Sequence, residues 1–214
     1  MLLATLLIAL VVQSLRIGSG IASVALDVLI TVLGVLILIV VFDPRERWLA
    51  GPIFVVMLVA GWSRYLVSAT ALERLSLAYQ LLSATFMAYA VTVILRTLLR
   101  APAVGAENVT GAICGYLIAG NAWTNVNVLA YLTVPAAYHV DPGVASLLAE
   151  WHGRTALFSY YSFAQLMTIG YSDVTPVRPP ATTLSLLGAL FGVFYTAVVV
   201  SQLVGMARSE NAKQ

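Results

Sequence analysis

Thr168-Ile169-Gly170-Tyr171-Ser172-Asp173 is the stretch on which the fold turns. The aromatic-rich run Leu157-Phe158-Ser159-Tyr160-Tyr161-Ser162-Phe163 precedes it. Val174-Thr175-Pro176 follow, and then a long apolar run from Ala181 to Met206. The segment ahead of the hexapeptide, about Thr155–Met167, is too short to cross a bilayer, which takes about 17–25 residues. In a soluble chain the hexapeptide would be a plain turn between two helices. This chain is 61% hydrophobic and 9% charged, with a mean hydropathy of +0.95. No soluble domain of this size has that balance, so the expectation is an integral membrane protein. Its apolar runs must be helices, because lipid offers no partner to an unpaired backbone group. The short segment, the turn and the last apolar run then form a re-entrant loop followed by a span.

About residues 151–206, a quarter of the chain, resemble the pore loop and inner helix of the potassium-channel family. That family's pattern is a short pore helix, then Thr-Val-Gly-Tyr-Gly-Asp, then the inner helix. Ile169 stands here for Val, and Ser172 for the second Gly. In such channels rings of backbone carbonyls replace the water shell of K⁺. Carbonyls point to one side only if alternate residues take left-handed conformations. Gly does so without steric cost, and other residues at a cost of about 1–2 kcal/mol. Gly170 meets the rule. Ser172 does not, so either it holds a left-handed conformation in every subunit or the outermost ion site is remodelled.

The resemblance implies a role for each matching position. Thr168, Ile169, Gly170 and Tyr171 would bind K⁺ through their carbonyls, Thr168 adding a hydroxyl at the inner end, and Ser172 would close the filter. Tyr171 would point into the surrounding protein as a brace. Asp173 would sit behind the outer filter and bond an aromatic residue of the pore helix, at the position of Tyr160. Gly192 falls where the family often has a hinge. K⁺ is the implied permeant ion, with no organic cofactor. The chain has one pore loop and no internal repeat, so a fourfold filter implies four chains.

Six hydrophobic segments and one re-entrant segment are expected. The first, about Leu2–Leu15, is short for a span. It has no basic residue before it and no clear cleavage site, and a start further upstream would also explain it. The others are about Ile21–Phe42, Trp48–Ser68, Leu75–Leu95, Thr110–Val134 and Ala181–Met206, with a charged turn at 43–47 and an extramembrane loop from Pro135 to Arg154. Pro179-Pro180 suit a helix start. The division is an N-terminal four-helix membrane bundle (1–100), a connector (101–109), a pore domain (110–208) and a short tail (209–214). With the filter facing outward, Arg45, Arg47, Arg96, Arg100, Arg208 and Lys213 fall inside, and Arg16, Arg74, Arg154 and Arg178 outside. Six against four agrees weakly with the positive-inside rule.

The first four segments sit where six-helix channels keep a voltage sensor. A sensor needs several basic residues spaced along its fourth helix. Leu75–Leu95 has none, so a conventional sensor is not expected. Asp27 and Arg64 fall within spans, and a structural pair is preferred to a gating pair. Asn121, Thr124, Asn125 and Asn127 read as interhelical glue. Gly188 and Gly192 make a small-xxx-small pair suited to close packing. Val193, Thr196, Val200 and Val204 share the inner face of the last span, where valines could form a dewetting gate. His139, Asp141, Glu150 and His152 lack tight ligand spacing and read as polar mouth residues rather than a metal site or pH sensor. Cys114 cannot form an intrachain disulfide. A net charge of +2 is too small to imply nucleic acid. No nucleophile elbow or metal-binding helix signals an enzyme.

The expectation is therefore an all-α membrane protein with six transmembrane helices, a re-entrant pore helix and a filter loop, assembled as a homotetramer in lipid. It would carry K⁺ passively across a bacterial-type plasma (inner) membrane. A weakly selective cation pore and a non-conducting membrane subunit or scaffold are the alternatives.

Overall fold

The computed structural model describes residues 2–14, 21–66, 69–101, 106–170 and 172–211. Tyr171, Arg16 and Lys213 lie outside the described residues, as do the side chains of Val204 and Arg208. Seven α-helices run through the described residues: α1 Leu2–Ser14, α2 Ile21–Val40, α3 Pro44–Ser63, α4 Ala69–Arg100, α5 Ala106–Thr133, α6 Trp151–Leu166 and α7 Pro179–Asn211. Ser23–Val40 of α2, Arg74–Arg100 of α4 and Pro179–Gln202 of α7 are long and apolar enough to cross a membrane. The apolar stretch of α1, Leu2–Val12, is shorter. On α2 the exposed side chains Val24, Val28, Val32, Val35 and Ile39 recur at helical spacing. That stripe is a lipid-facing surface, since water would penalise it and hydrocarbon does not.

Several boundaries move, each for a local reason. Residues 43–47 are not a turn but the entry to α3. Asp43 is the N-cap, Pro44 opens the helix, and the Glu46 carboxylate accepts the Asp43 N–H at 3.2 Å. Arg47 reaches back to the last carbonyls of α2, donating to Phe42 O (2.8 Å) and Ile39 O (2.6 Å). A cation there satisfies orphan acceptors and suits the negative helix end. The charged pentapeptide thus caps two helices at once. Helix α4 extends to Arg100 and α5 begins at Ala106, which shortens the connector. Helix α6 starts at Trp151, one turn earlier than expected.

The loop between α5 and α6 is also not structureless. Tyr138–Val140 (β1) and Val174–Pro176 (β2) pair antiparallel, with His139 opposite Thr175. A two-stranded ribbon is marginal alone. Here it lies on a buried cluster of Val128, Ala137, Tyr138, Leu157, Phe158, Tyr161, Val174 and Ala181. Phe158 is fully buried, its ring 5.1 Å from that of Tyr138 and 5.4 Å from that of Tyr131. The larger core joins α1–α5 to the inner half of α7, with Phe42 stacked on Tyr89 (5.0 Å) and Phe54 tilted against Phe86 (5.4 Å).

Helices α1 to α6 alternate in direction, and α7 runs parallel to α6, with Tyr161 beside Ser185 and Leu166 beside Gly192. Asp27 (start of α2), Arg64 (end of α3), Ser76 (start of α4) and His152 (start of α6) meet at one end. Val40, Leu98 and Thr110 line a shared cleft at the other. The β1–β2 ribbon and the start of α6 lie at the first of these ends.

Candidate functional site

Helix α6 packs between α5 and α7 and stops at Leu166. The N–H groups of residues 168–170 turn back onto it. Thr168 donates to Gln165 O (2.9 Å), and Ile169 and Gly170 both donate to Ala164 O (2.9 and 3.4 Å). A trans peptide holds its C=O opposite the N–H of the following residue, and no peptide here is cis. The carbonyls of Met167, Thr168 and Ile169 therefore point away from α6. The Met167 carbonyl accepts the Thr168 hydroxyl at 2.7 Å. Two carbonyls facing one way in succession need alternating backbone handedness. Thr168 (φ 56°) and Gly170 (φ 81°) supply it, with residues 167–170 exposed on the surface of the single chain.

The left-handed residue at Thr168 was not foreseen, because sequence reasoning placed such residues only at 170 and 172. A β-branched residue there is strained by roughly 1–2 kcal/mol, a cost borne only where the surroundings over-determine the backbone. The Thr168 N–H and hydroxyl bonds are part of that constraint.

Below the loop lies a cleft of about 660 Å³ that brings Met167 and Thr168 together with Gly192, Val193, Thr196 and Val200 of α7. Val193, Thr196 and Val200, three of the four residues expected to share one face of the last span, line this cleft beside the loop. Gly192 sits against the backbone carbonyl of Leu166, where any Cβ would collide. Gly188 sits the same way against the Trp123 indole of α5. The small-xxx-small pair lets α7 close onto α6 and α5 of its own chain. The Thr196 hydroxyl donates to Gly192 O at 2.9 Å, a local back-bond that favours bending.

The outer side is braced by a buried polar chain. Asn127 of α5 donates to Ser162 Oγ of α6 at 2.8 Å and accepts the Tyr138 hydroxyl at 2.9 Å. Burial, reinforced by the neighbouring Tyr161 phenol, pushes the Tyr138 hydroxyl well above its ordinary pKa, so it stays a donor. Tyr161 and Ser185 of α7 share a bond at 2.6 Å. Ser172 Oγ accepts the Val174 N–H at 3.2 Å, and Asp173 O accepts the Asp141 N–H at 2.9 Å. The chain leaving the loop is thus tied to the ribbon at its first three residues.

The glue residues divide. Asn127 links helices as expected, and Asn125 reaches Met87 Sδ of α4 at 3.7 Å. Asn121 and Thr124 instead bond carbonyls of their own helix, Leu117 O and Gly120 O. Tyr138 and Ser162 were missed. Their one signal is a tyrosine and a serine in otherwise apolar surroundings. Tyr160 and Asp173 are both exposed on the single chain. His139, Asp141, Glu150 and His152 do not gather. Asp141 Oδ1 accepts the Gly143 N–H at 2.7 Å, while His152 turns toward Asp27 and Arg64. Among the described residues no group of three His, Cys, Asp or Glu could hold a metal ion.

The family described as ion channel matches residues 111–209. Over those residues the chain is similar to an ion channel family. The match covers most of α5, the ribbon, α6, the loop and nearly all of α7. No curated protein and no solved structure matches the chain. The loop in the matched segment carries the backbone groups described above, and the cleft below it is walled by α7.

Proposed function

We propose that four copies of this chain surround one axis and pass K⁺ down its electrochemical gradient through a ring built from Thr168, Ile169, Gly170, Tyr171 and Ser172. The observation that carries the reading is the direction of the peptide groups at 168–170. Their N–H groups bond Ala164 O and Gln165 O, which turns the Thr168 and Ile169 carbonyls outward from the protein. Carbonyl rings are what a dehydrated cation requires. One loop per chain supplies a quarter of a fourfold ring, so the site is complete only in a tetramer.

In this reading α1 to α5 and α7 cross the membrane and α6 re-enters it. Residues 1–100 form a peripheral four-helix bundle, 101–109 a connector, 110–208 the pore domain and 209–214 a tail. Val193, Thr196, Val200 and Val204 line the inner pore, Gly192 is the hinge, and Tyr160 and Asp173 support the filter. The assembly works by transport, not catalysis, in a bacterial-type plasma membrane, with lipid and its own copies as partners.

Ser172 favours a second reading, a weakly selective cation pore, because its side chain holds the Val174 N–H where the family has Gly. The test is flux in proteoliposomes of the purified chain under K⁺ and Na⁺ gradients, with native mass in parallel. K⁺ flux from a tetramer is expected. Comparable Na⁺ flux selects the weakly selective pore. A stable monomer or dimer with no flux would overturn the channel reading in favour of a non-conducting scaffold.

A further inference from the structure

We infer that Asp27, Arg64 and His152 form a proton-binding latch that ties the N-terminal helices to the start of the pore helix, and that acid on the filter side loosens it and lowers flux. The flux part rests on the channel reading; the latch itself does not.

Three elements distant in sequence meet here. Asp27 lies in the second turn of α2, Arg64 caps the end of α3, and His152 is in the first turn of α6. An Arg64 NH2 group is paired with Asp27 Oδ2, and the Tyr65 hydroxyl donates to the same oxygen. His152 Nε2 is 3.2 Å from that Arg64 nitrogen and 3.6 Å from Asp27 Oδ1. The side chains of Arg64, Asp27 and His152 are only 8%, 12% and 13% exposed, so solvent screens the cluster weakly. The Arg64 guanidinium also lies 4.7 Å from the centre of the Trp151 ring, which meets the Tyr79 ring of α4 edge-on at 5.2 Å. The titratable and charged groups around His152 are thus Asp27 from α2, Arg64 and Tyr65 from the end of α3, Tyr79 from α4, and Glu150 ahead of α6. Arg154, further along α6, reaches Ser76 of α4 at 3.3 Å.

The chemistry is exclusive. Guanidinium is a donor only, so contact with Arg64 requires Nε2 to be bare, with the imidazole proton on Nδ1. Once protonated, Nε2 is a donor facing a donor, and two cations compete for one carboxylate. The bond to Arg64 must then open, with His152 drawn to Asp27 Oδ1. Burial, then the Arg64 charge, hold the His152 pKa down to about 4, against a smaller opposing pull from Glu150. The sign follows. A histidine with a lowered folded pKa contributes fully above its unfolded value of about 6.5. That contribution is lost as pH falls from there through about 4. The other end of α6 positions the loop through Ala164 O, so a start that shifts disturbs the carbonyl ring.

The chain has two histidines, His139 and His152. NMR of ring-labelled histidine in lipid nanodiscs, with His139→Gln for assignment, reads each titration. His152 is expected to titrate well below an ordinary histidine, and Arg64→Gln to raise its proton affinity at least about tenfold. Titration of His152 in the ordinary histidine range, unmoved by Arg64→Gln, overturns the latch. Where Arg64→Gln does not fold, the Tm of the natural chain is compared with that of His152→Gln from pH 7 to pH 4. A steeper loss in the natural chain supports the latch, and equal loss overturns it. In proteoliposomes, flux of the natural chain is expected to fall about twofold by pH 4, where half of His152 is protonated, and less in His152→Gln. An identical pH response in both overturns the gating part. A chain that carries no current at any pH, but keeps the low His152 titration, sinks the channel reading and supports the latch.

Discussion

The two ends of α6 hold their polar groups in opposite ways. At its start, the opposite charges of Asp27 and Arg64 are buried together beside the neutral His152 and neutralise one another. At its end, backbone groups of consecutive residues are exposed, N–H groups inward and carbonyls outward. A charge in a poorly screened place needs a partner close by, or the group gives up its charge. A carbonyl at a membrane-embedded surface needs a partner too, and a passing cation can be that partner. The same helix thus carries a closed electrostatic site at one end and an open one at the other. The closed end is a matter of stability, and the open end, under the proposed function, a matter of conduction.

Breaking the closed end should have the largest effect. Arg64→Leu strands Asp27 without its cation, at a cost of about 3–5 kcal/mol. Thermal unfolding in detergent should show a large fall in Tm, and adding Asp27→Asn should recover much of it. No recovery in the double variant would mean that Arg64 acts through packing on Trp151 rather than through charge.

At the open end, Gly170→Ala sets a Cβ on a backbone with φ 81°. The cost is about 1–2 kcal/mol per chain, multiplied by the copies in the ring. Flux should be lost while Tm falls little. A large Tm loss would erase the contrast between the two ends.

Between the ends, Asn127→Ala leaves the Ser162 and Tyr138 hydroxyls without the amide that joins them. The expected cost is about 1–3 kcal/mol, read as a lower Tm with a folded chain. An unchanged Tm would show that the outer ribbon does not depend on this bridge.

Ser172→Gly is the subtler test. It removes the hydroxyl that accepts the Val174 N–H and frees the backbone for the left-handed region. Under bi-ionic K⁺/Na⁺ conditions the reversal potential should move toward greater K⁺ preference. Equal and high preference in both chains would show that serine is harmless there.

The smallest effect is expected for α4. No charge lies between Arg74 and Arg96, and each charge crossing the field is worth only about 2.3 kcal/mol per 100 mV. Neutralising Arg74 or Arg96 should leave the voltage dependence of opening unchanged, as measured by current against voltage.

Much of the pore region was legible because its signals are local. Gly170, the short length of the segment before it and the apolar run after it are neighbours in sequence. Their physics, a left-handed residue and a helix too short to span, does not depend on distant partners. The cleft that joins Thr168 to Gly192, Val193, Thr196 and Val200 follows from a helical face that could be read directly. Other features were not legible. Residues 43–47 look like a charged turn, yet Pro44 and Glu46 begin a helix and Arg47 closes another. The β1–β2 ribbon is three residues a side, too short for a periodic signal. Thr168 takes φ 56°, a conformation its residue type disfavours, under constraints that only the folded chain supplies.

By itself, then, the sequence determined that this chain is a helical membrane protein, with a short helix and a turn ahead of the long apolar α7. Those conclusions rest on composition, run length and a six-residue motif, each set by the cost of exposing backbone to lipid. The tertiary structure decided which polar groups answer one another. Asp27 and Arg64 read as a pair in the sequence, but His152, 88 residues beyond Arg64, enters the cluster only because the fold brings the start of α6 beside the start of α2 and the end of α3. Asn127 could have bonded several neighbours, and it bonds Ser162 and Tyr138 because α5, α6 and β1 converge there. Charge and hydrogen-bond partners act over a few ångströms of space, and distance along the chain does not encode them.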